Sequence, residues 1–246
     1  MLETRFIREL RIDWSKIPEH SYLRSIPALS GLARLEFSKN ITFFVGENGT
    51  GKSTLLEAIA AAYGFNPEGG TMNYRFSTYD DVSELSTAIS FSRGFRRPAS
   101  SCFFRAESFF NVATKAEEYR DGDLKEAYYA RYGGKSLHEQ SHGESFLSYF
   151  LSFEGPGLYL MDEPEAALSP QRQLTLLIQL VRMAQTGSQF LIASHSPLLL
   201  GIPGAQILSF DEDHLHECSY EETESYQITE MFINHREALL NRLLGE

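Results

Sequence analysis

The sequence predicts an α/β fold: a mostly parallel central sheet covered on both faces, with N-terminal antiparallel strands and a small inserted lobe. Two observations predict it. A Gly-x-x-x-x-Gly-Lys-Ser stretch, Gly46 to Ser53, lies between an apolar run, Ile41 to Val45, and a helix-forming series, Leu55 to Ala62. Strand, tight loop and helix in that order are the context in which such a motif carries meaning. After it, continuous apolar runs at 158–161, 189–193 and 207–210 alternate with helix-period segments, as expected of strands buried on both faces of a parallel sheet.

Taken in order, residues 5–13 alternate loosely and read as a first strand, and Pro18 and Pro27 mark turns. Leu35, Phe37 and the run 41–45 give a strand pair leading into the loop, and Ser53 to Ala62 give the helix that Gly64 and Pro67 end. From 71 to 137 the sequence changes character. Strands at 87–91 and 101–105 flank a turn near Gly94 and Pro98, a helix covers 115–132, and Gly133-Gly134 stops it. We read 71–137 as a lobe inserted in a single domain spanning 1–246. Further helices are expected at 144–153, 171–184 and 229–244.

Composition narrows the classes of function. The chain has 246 residues, 42% apolar and 22% charged, enough for one large domain with a sizeable core. No run approaches the roughly 20 apolar residues that span a bilayer, and 1–10 lacks signal-peptide character, so a cytoplasmic protein is expected. Cys102 and Cys218 lack metal-site spacing and read as buried or idle thiols. A net charge of -11 argues against a sequence-blind nucleic-acid binder. One local cluster remains: Arg93, Arg96, Arg97 and Arg105 interleaved with Phe91, Phe95, Phe103 and Phe104. It reads as an amphipathic hairpin or as a phosphate- and base-holding surface, and the hairpin is the simpler reading.

The loop itself points to a nucleotide triphosphate. Glycines let the backbone wrap phosphates in conformations that a Cβ blocks, so Asn48, Gly49, Thr50, Gly51 and Thr54 offer amides to an anion at the helix start. Lys52 adds a full positive charge, and the Ser53 hydroxyl is suited to hold Mg²⁺. The second motif is Leu158-Tyr159-Leu160-Met161-Asp162-Glu163-Pro164, in which a buried strand presents two carboxylates at its C-terminal end. Asp162 suits the Mg²⁺ shell, and Glu163 can orient or deprotonate an attacking water.

These residues carry a family resemblance. Asp162-Glu163-Pro164-Glu165-Ala166-Ala167-Leu168-Ser169-Pro170 resembles the Walker B and D-loop segment of ABC-type ATPases, Ser194-His195-Ser196 resembles their switch-histidine loop, and Gln140-Ser141-His142-Gly143-Glu144 resembles their signature segment. Within that superfamily the chain is similar to the soluble, non-transporter branch of RecF-like, chromosome-maintenance and phage-defence ATPases, over roughly residues 5–210. His142 stands where a glycine is usual, Glu144 where glutamine is usual, and Ser169 where many D-loops have aspartate.

The resemblance implies an ATP- and Mg²⁺-dependent ATPase that shares each nucleotide between two copies of the chain. Ser141, Gly143 and Glu144 would then contact the γ-phosphate held by the partner's Lys52, and His195 would sense it. Glu107, after the strand 102–104, is the candidate for the Q-loop role at the metal. Tyr22 is a candidate to stack on adenine, though a core position suits it better. About 85 residues separate Ser53 from Ser141 without a sustained heptad pattern, so no coiled-coil arm is expected. The expected function is an ATP-dependent dimerising switch acting on a protein or nucleic-acid partner, in DNA repair, chromosome maintenance or phage defence. A nucleotide-binding subunit of an ABC transporter is the alternative, and a small-molecule P-loop kinase a third reading.

Overall fold

The structure, a computed structural model, is described for residues 4–66, 69–71, 84–118 and 129–245. A six-stranded sheet and a three-stranded sheet form its framework. The larger sheet contains β3 (Ile41–Val45), β5 (Ser100–Arg105), β6 (Gly157–Asp162), β7 (Gln189–Ala193), β8 (Gln206–Ser209) and β9 (His216–Glu217), in the order β5-β6-β7-β3-β8-β9. All its pairings are parallel except that of β8 with β9. The smaller sheet pairs β1 (Ile7–Ile12) with β2 (Arg34–Glu36) and β4 (Ile89–Arg93), antiparallel on both sides.

Two expectations are corrected by these pairings. β2 does not pair with β3 ahead of the loop; it joins β1 in the other sheet. Nor do β4 and β5 form a hairpin, because β4 pairs with β1 while β5 forms an edge of the parallel sheet. Ile89 and Phe91 of β4 pack against the same core as Phe103, while Cys102 and Phe104 of β5 face the other core across the parallel sheet. Two strands of the stretch read as an inserted lobe, 71–137, are thus integral to the two sheets. The arginine-aromatic cluster is dispersed with them: Arg93 stacks over Tyr63, Phe103 and Phe104 are buried, and Phe95 is exposed.

Alternation along each central strand fills both sides of the sheet. Phe43, Tyr159, Met161, Phe190 and Ile192 pack on one face, and Phe44, Leu158, Leu160, Leu191 and Ala193 on the other. The first face is covered by α3 (Phe109–Glu118), α4 (His142–Leu151) and α5 (Pro170–Gln185), and the second by α1 (Lys52–Tyr63) and the smaller sheet. Of the helix expected at 115–132, residues 115–118 belong to α3 and 119–128 lie outside the described residues.

Two buried glutamines join the sheets. The Gln189 amide accepts from the N–H groups of Phe6 and Ile7 and donates to Ile7 O, and Gln206 accepts from Ser38 N–H and donates to Glu36 O. Each amide satisfies backbone groups that the change of sheet leaves without a ladder partner. Short α2 (Glu84–Ala88) and α6 (Pro197–Leu200) complete the body, and α7 (Glu224–Leu244) ends it. Both cysteines are free, and burial pushes the Cys102 thiol up to about 12, which keeps it protonated and inert.

Candidate functional site

Four strand ends leave the central sheet side by side. Glu163 N–H donates to Ala193 O at 2.9 Å, Ser194 N–H to Phe44 O at 3.2 Å, and Phe210 N–H to Val45 O at 2.9 Å. The segments after β6, β7, β3 and β8 are therefore neighbours at the carboxyl edge, where open α/β sheets bind ligands. Because β7 lies between β3 and β6, the His195 segment sits between the Gly-rich loop and the Asp162–Glu163 pair.

The loop turns into α1 at Gly51, whose φ of 102° is left-handed and whose Cβ would lie 2.8 Å from the Ile26 side chain. Conformation and space both demand glycine there. Asn48 and Gly49 form the exposed tip, Thr50 Oγ1 donates back to Glu47 O, and Ser53 and Thr54 start the helix, whose first amides have no carbonyl within it. Lys52 is buried and its Nζ donates to the carbonyls of Gly46 at 2.6 Å and Glu47 at 2.7 Å. Burial lowers its pKa, while the carboxylates of Glu163, Asp211, Asp162 and Glu165 work in the opposite direction.

Ser53 Oγ donates to Asp162 Oδ1 at 2.9 Å across 109 residues of sequence. Burial raises the pKa of Asp162, partly offset by that hydrogen bond and by Arg105, whose Nε is 4.0 Å from Oδ2. Glu163 has a left-handed backbone (φ 49°, ψ 53°), costly for a residue with a Cβ. Its Oε1 lies 3.9 Å from His195 Nε2, and that nitrogen is buried without a hydrogen-bond partner.

The remaining candidates lie elsewhere. Glu107 is exposed and 3.9 Å from the Arg105 guanidinium, which also lies 3.2 Å from Glu57; one arginine thus separates Glu107 from Asp162. Tyr22 is 64% exposed on a short 3₁₀ turn, so the core position preferred for it is corrected. Ser141 caps α4, with Glu144 closing a capping box on its N–H and hydroxyl. Those bonds and the Arg172 guanidinium, 2.7 Å from Glu144, hold the carboxyl below its ordinary range. Gly143 lets the helix approach the segment after Glu163, since a Cβ would lie 2.5 Å from Ala167 O.

Two site residues escaped the sequence reading. Glu165 Oε1 accepts from Ser194 Oγ and from the N–H groups of His195 and Ser196, at 2.9, 2.6 and 3.1 Å. Asp211 Oδ1 accepts the Glu47 N–H at 3.0 Å, clamping the loop to the end of β8. Both are acids just past the C-terminal end of a buried strand, the same signal that singled out Asp162.

A family model described as "AAA domain" matches residues 22–119, and another, described as "AAA domain, putative AbiEii toxin, Type IV TA system", matches residues 145–201. A solved structure of an inward-facing, metal-chelate type ABC transporter is 14% identical, with a TM-score of 0.51 over 92% of this chain and 88% of its own. The chain thus has the fold of an ABC-type ATPase domain. A second ABC-type structure, CbiO1 of Clostridium perfringens, part of the transporter complex CbiONQ, is 14% identical over 98% of this chain and 100% of its own, with a TM-score of 0.49. No curated protein sequence matches the chain. The ABC-type fold thus carries its loop, its carboxylate pair and its histidine on three adjacent strand ends.

Proposed function

We propose that this chain binds and hydrolyses ATP, and that two copies close on shared nucleotides as a switch. The observation that carries the reading is the meeting of Ser53 and Asp162 at 2.9 Å, beside Lys52 and with Glu163 and His195 close by. A hydroxyl and a single carboxylate match Mg²⁺, which takes few protein oxygens and fills its octahedron with phosphates and water. Among the described residues no group of three or more His, Cys, Asp or Glu competes as a dedicated metal cage. When bound, the metal would neutralise charge on the phosphate oxygens.

The chain's own residues have separate tasks. Lys52 and the first amides of α1 hold the phosphates, Glu163 accepts a proton from the attacking water, and His195 Nε2 orients that water against the terminal phosphate. The 3.9 Å between Glu163 and His195 is too long for a direct bond, and a water can span it. Ser141 and Gly143, beside the segment following Glu163, cap the terminal phosphate of the second copy's nucleotide, which makes hydrolysis depend on closure. Glu107, separated from Asp162 by the Arg105 guanidinium, would help hold the metal once that arginine is released.

Absence among the described residues of a helix long and apolar enough to cross a membrane suits the soluble branch, acting in the cytoplasm on a protein or nucleic-acid partner. The test is ATPase rate per chain against protein concentration, with Glu163→Gln alongside. We expect a rate per chain that rises with concentration through the range in which two copies associate and is level once they are paired, and a Glu163→Gln protein that holds ATP as a dimer. A concentration-independent rate together with an ATP-bound monomer would overturn the shared site.

A further inference from the structure

The C-terminal helix α7 is a 21-residue helix with no buried residue. It is tied to the body at its start, where buried Thr223 caps it and the Tyr220 and Tyr226 rings meet at 4.7 Å. A polar face, Gln227, Glu230, Asn234, Glu237 and Asn241, runs along one side. Opposite it, Ile228 (54%), Phe232 (43%) and Leu243 (71%) are exposed, with Met231 at their edge; Ile233 and Leu244, also exposed, lie nearer the polar side. Helices owe most of their stability in water to packing of an apolar face. On the seam side Ile228, Met231, Phe232 and Leu243 expose on the order of 400 Å², about the apolar share of the roughly 800 Å² that each partner gives a standard stable interface.

The pattern specifies the occupant. Along the seam Ile228, Phe232, Leu239 and Leu243 the spacings are four, seven and four, which read the same in both directions. The midpoint falls between His235 and Arg236, and His235 is where the helix departs from helical geometry (φ -133°, ψ 33°). A two-fold axis through that point sets Ile228 against Leu243, Met231 against Leu240 and Phe232 against Leu239 of another copy, and makes the two kinks coincide. Such self-matching of one surface is what an isologous contact requires.

We propose that α7 pairs with α7 of a second copy, antiparallel and two-fold symmetric, and that this pairing needs no nucleotide. It therefore does not rest on the shared ATP site. The seam starts at Ile228, one turn past Glu224 and Ser225, which line the cavity beside Gly46, Glu47 and Asn48, and runs on to Leu243; its four residues are not among those lining that cavity.

The experiment is light scattering on nucleotide-free protein. Wild type and Lys52→Ala should both show about twice the 27.9 kDa chain mass. Phe232→Glu with Leu239→Glu should return the mass to that of one chain. Cysteine pairing fixes the direction: Ile228→Cys with Leu243→Cys should cross-link under oxidation, and either change alone should not, with the native cysteines as the background control. A nucleotide-free wild-type monomer overturns the proposal, including one that sediments with anionic phosphatidylserine vesicles. So does cross-linking by Ile228→Cys alone, which would mean parallel helices. A dimer that forms with ATP and is lost in Lys52→Ala supports the shared site and overturns the α7 pairing; a nucleotide-free dimer whose ATPase rate ignores Ser141→Arg does the reverse.

Discussion

The carboxylate of Glu165 accepts the backbone N–H of His195 at 2.6 Å, so the end of β6 positions the histidine segment after β7. The same oxygen takes Ser194 Oγ and Ser196 N–H. Glu165→Ala leaves two donors, Ser194 Oγ–H and His195 N–H, short of an acceptor at a half-buried position, while Ser196 N–H keeps Ser194 Oγ, a cost of roughly 2–4 kcal/mol. The expected outcome is a lower urea midpoint and a kcat reduced at least tenfold with little change in KM for ATP. Glu165→Gln keeps an acceptor oxygen and should recover most of kcat; equal losses in both variants would remove the positioning role.

Glu165 also sets a pH dependence. Burial raises its pKa above the ordinary 4.5, outweighing the hydrogen bonds it accepts. A carboxyl whose folded pKa is raised binds protons more tightly in the native state. Its contribution to stability is thus most favourable below 4.5 and declines as pH climbs through the raised value. Asp162, raised by burial as well, adds in the same direction. Urea midpoints measured upward from pH 4.5 should fall more steeply for wild type than for Glu165→Gln.

Closure on shared nucleotides predicts complementation. Lys52→Ala and Ser141→Arg should each be inactive alone. Mixed in equal amounts, they should regain roughly a quarter of the wild-type rate, because half the dimers are mixed and each of these rebuilds one of two sites. A mixture no more active than its components would count against sharing.

Gly143 predicts a steric effect without any change of charge. With Ala167 O at 2.5 Å from the position of a Cβ, Gly143→Ala must push the start of α4 off the segment after Glu163, at about 1–3 kcal/mol. Thermal unfolding should report that loss. ATP binding to the isolated chain should stay unchanged, since the loop and α1 lie elsewhere.

Asp211 predicts a difference between charge and geometry. Asp211→Ala removes the acceptor of the Glu47 N–H and should weaken ATP binding roughly tenfold by calorimetry, whereas Asp211→Asn retains an acceptor and should bind within about twofold of wild type.

Much of this site was legible from local chemistry. The loop, the carboxylate pair and His195 each follow a continuous apolar run, and a buried strand ends where its apolar residues do. What the sequence concealed was pairing at a distance. Nothing in Leu35 or Phe91 says that both strands flank β1, because antiparallel and parallel partners look alike one strand at a time. Glu165 and Asp211 were hidden differently: their work is to hold backbone amides of remote segments, and an amide leaves no mark on residue identity. Tyr22 misled for a third reason, since an aromatic between prolines fits a core as well as a surface turn.

The Lys52 ammonium, meanwhile, already satisfies two carbonyls of its own loop. An arriving triphosphate has to win that cation away from the peptide groups around it, so binding is a substitution and its net gain is smaller than the new contacts suggest. A shorter or misplaced anion that cannot complete the swap leaves the lysine where it was, and the loop discriminates before any chemistry begins.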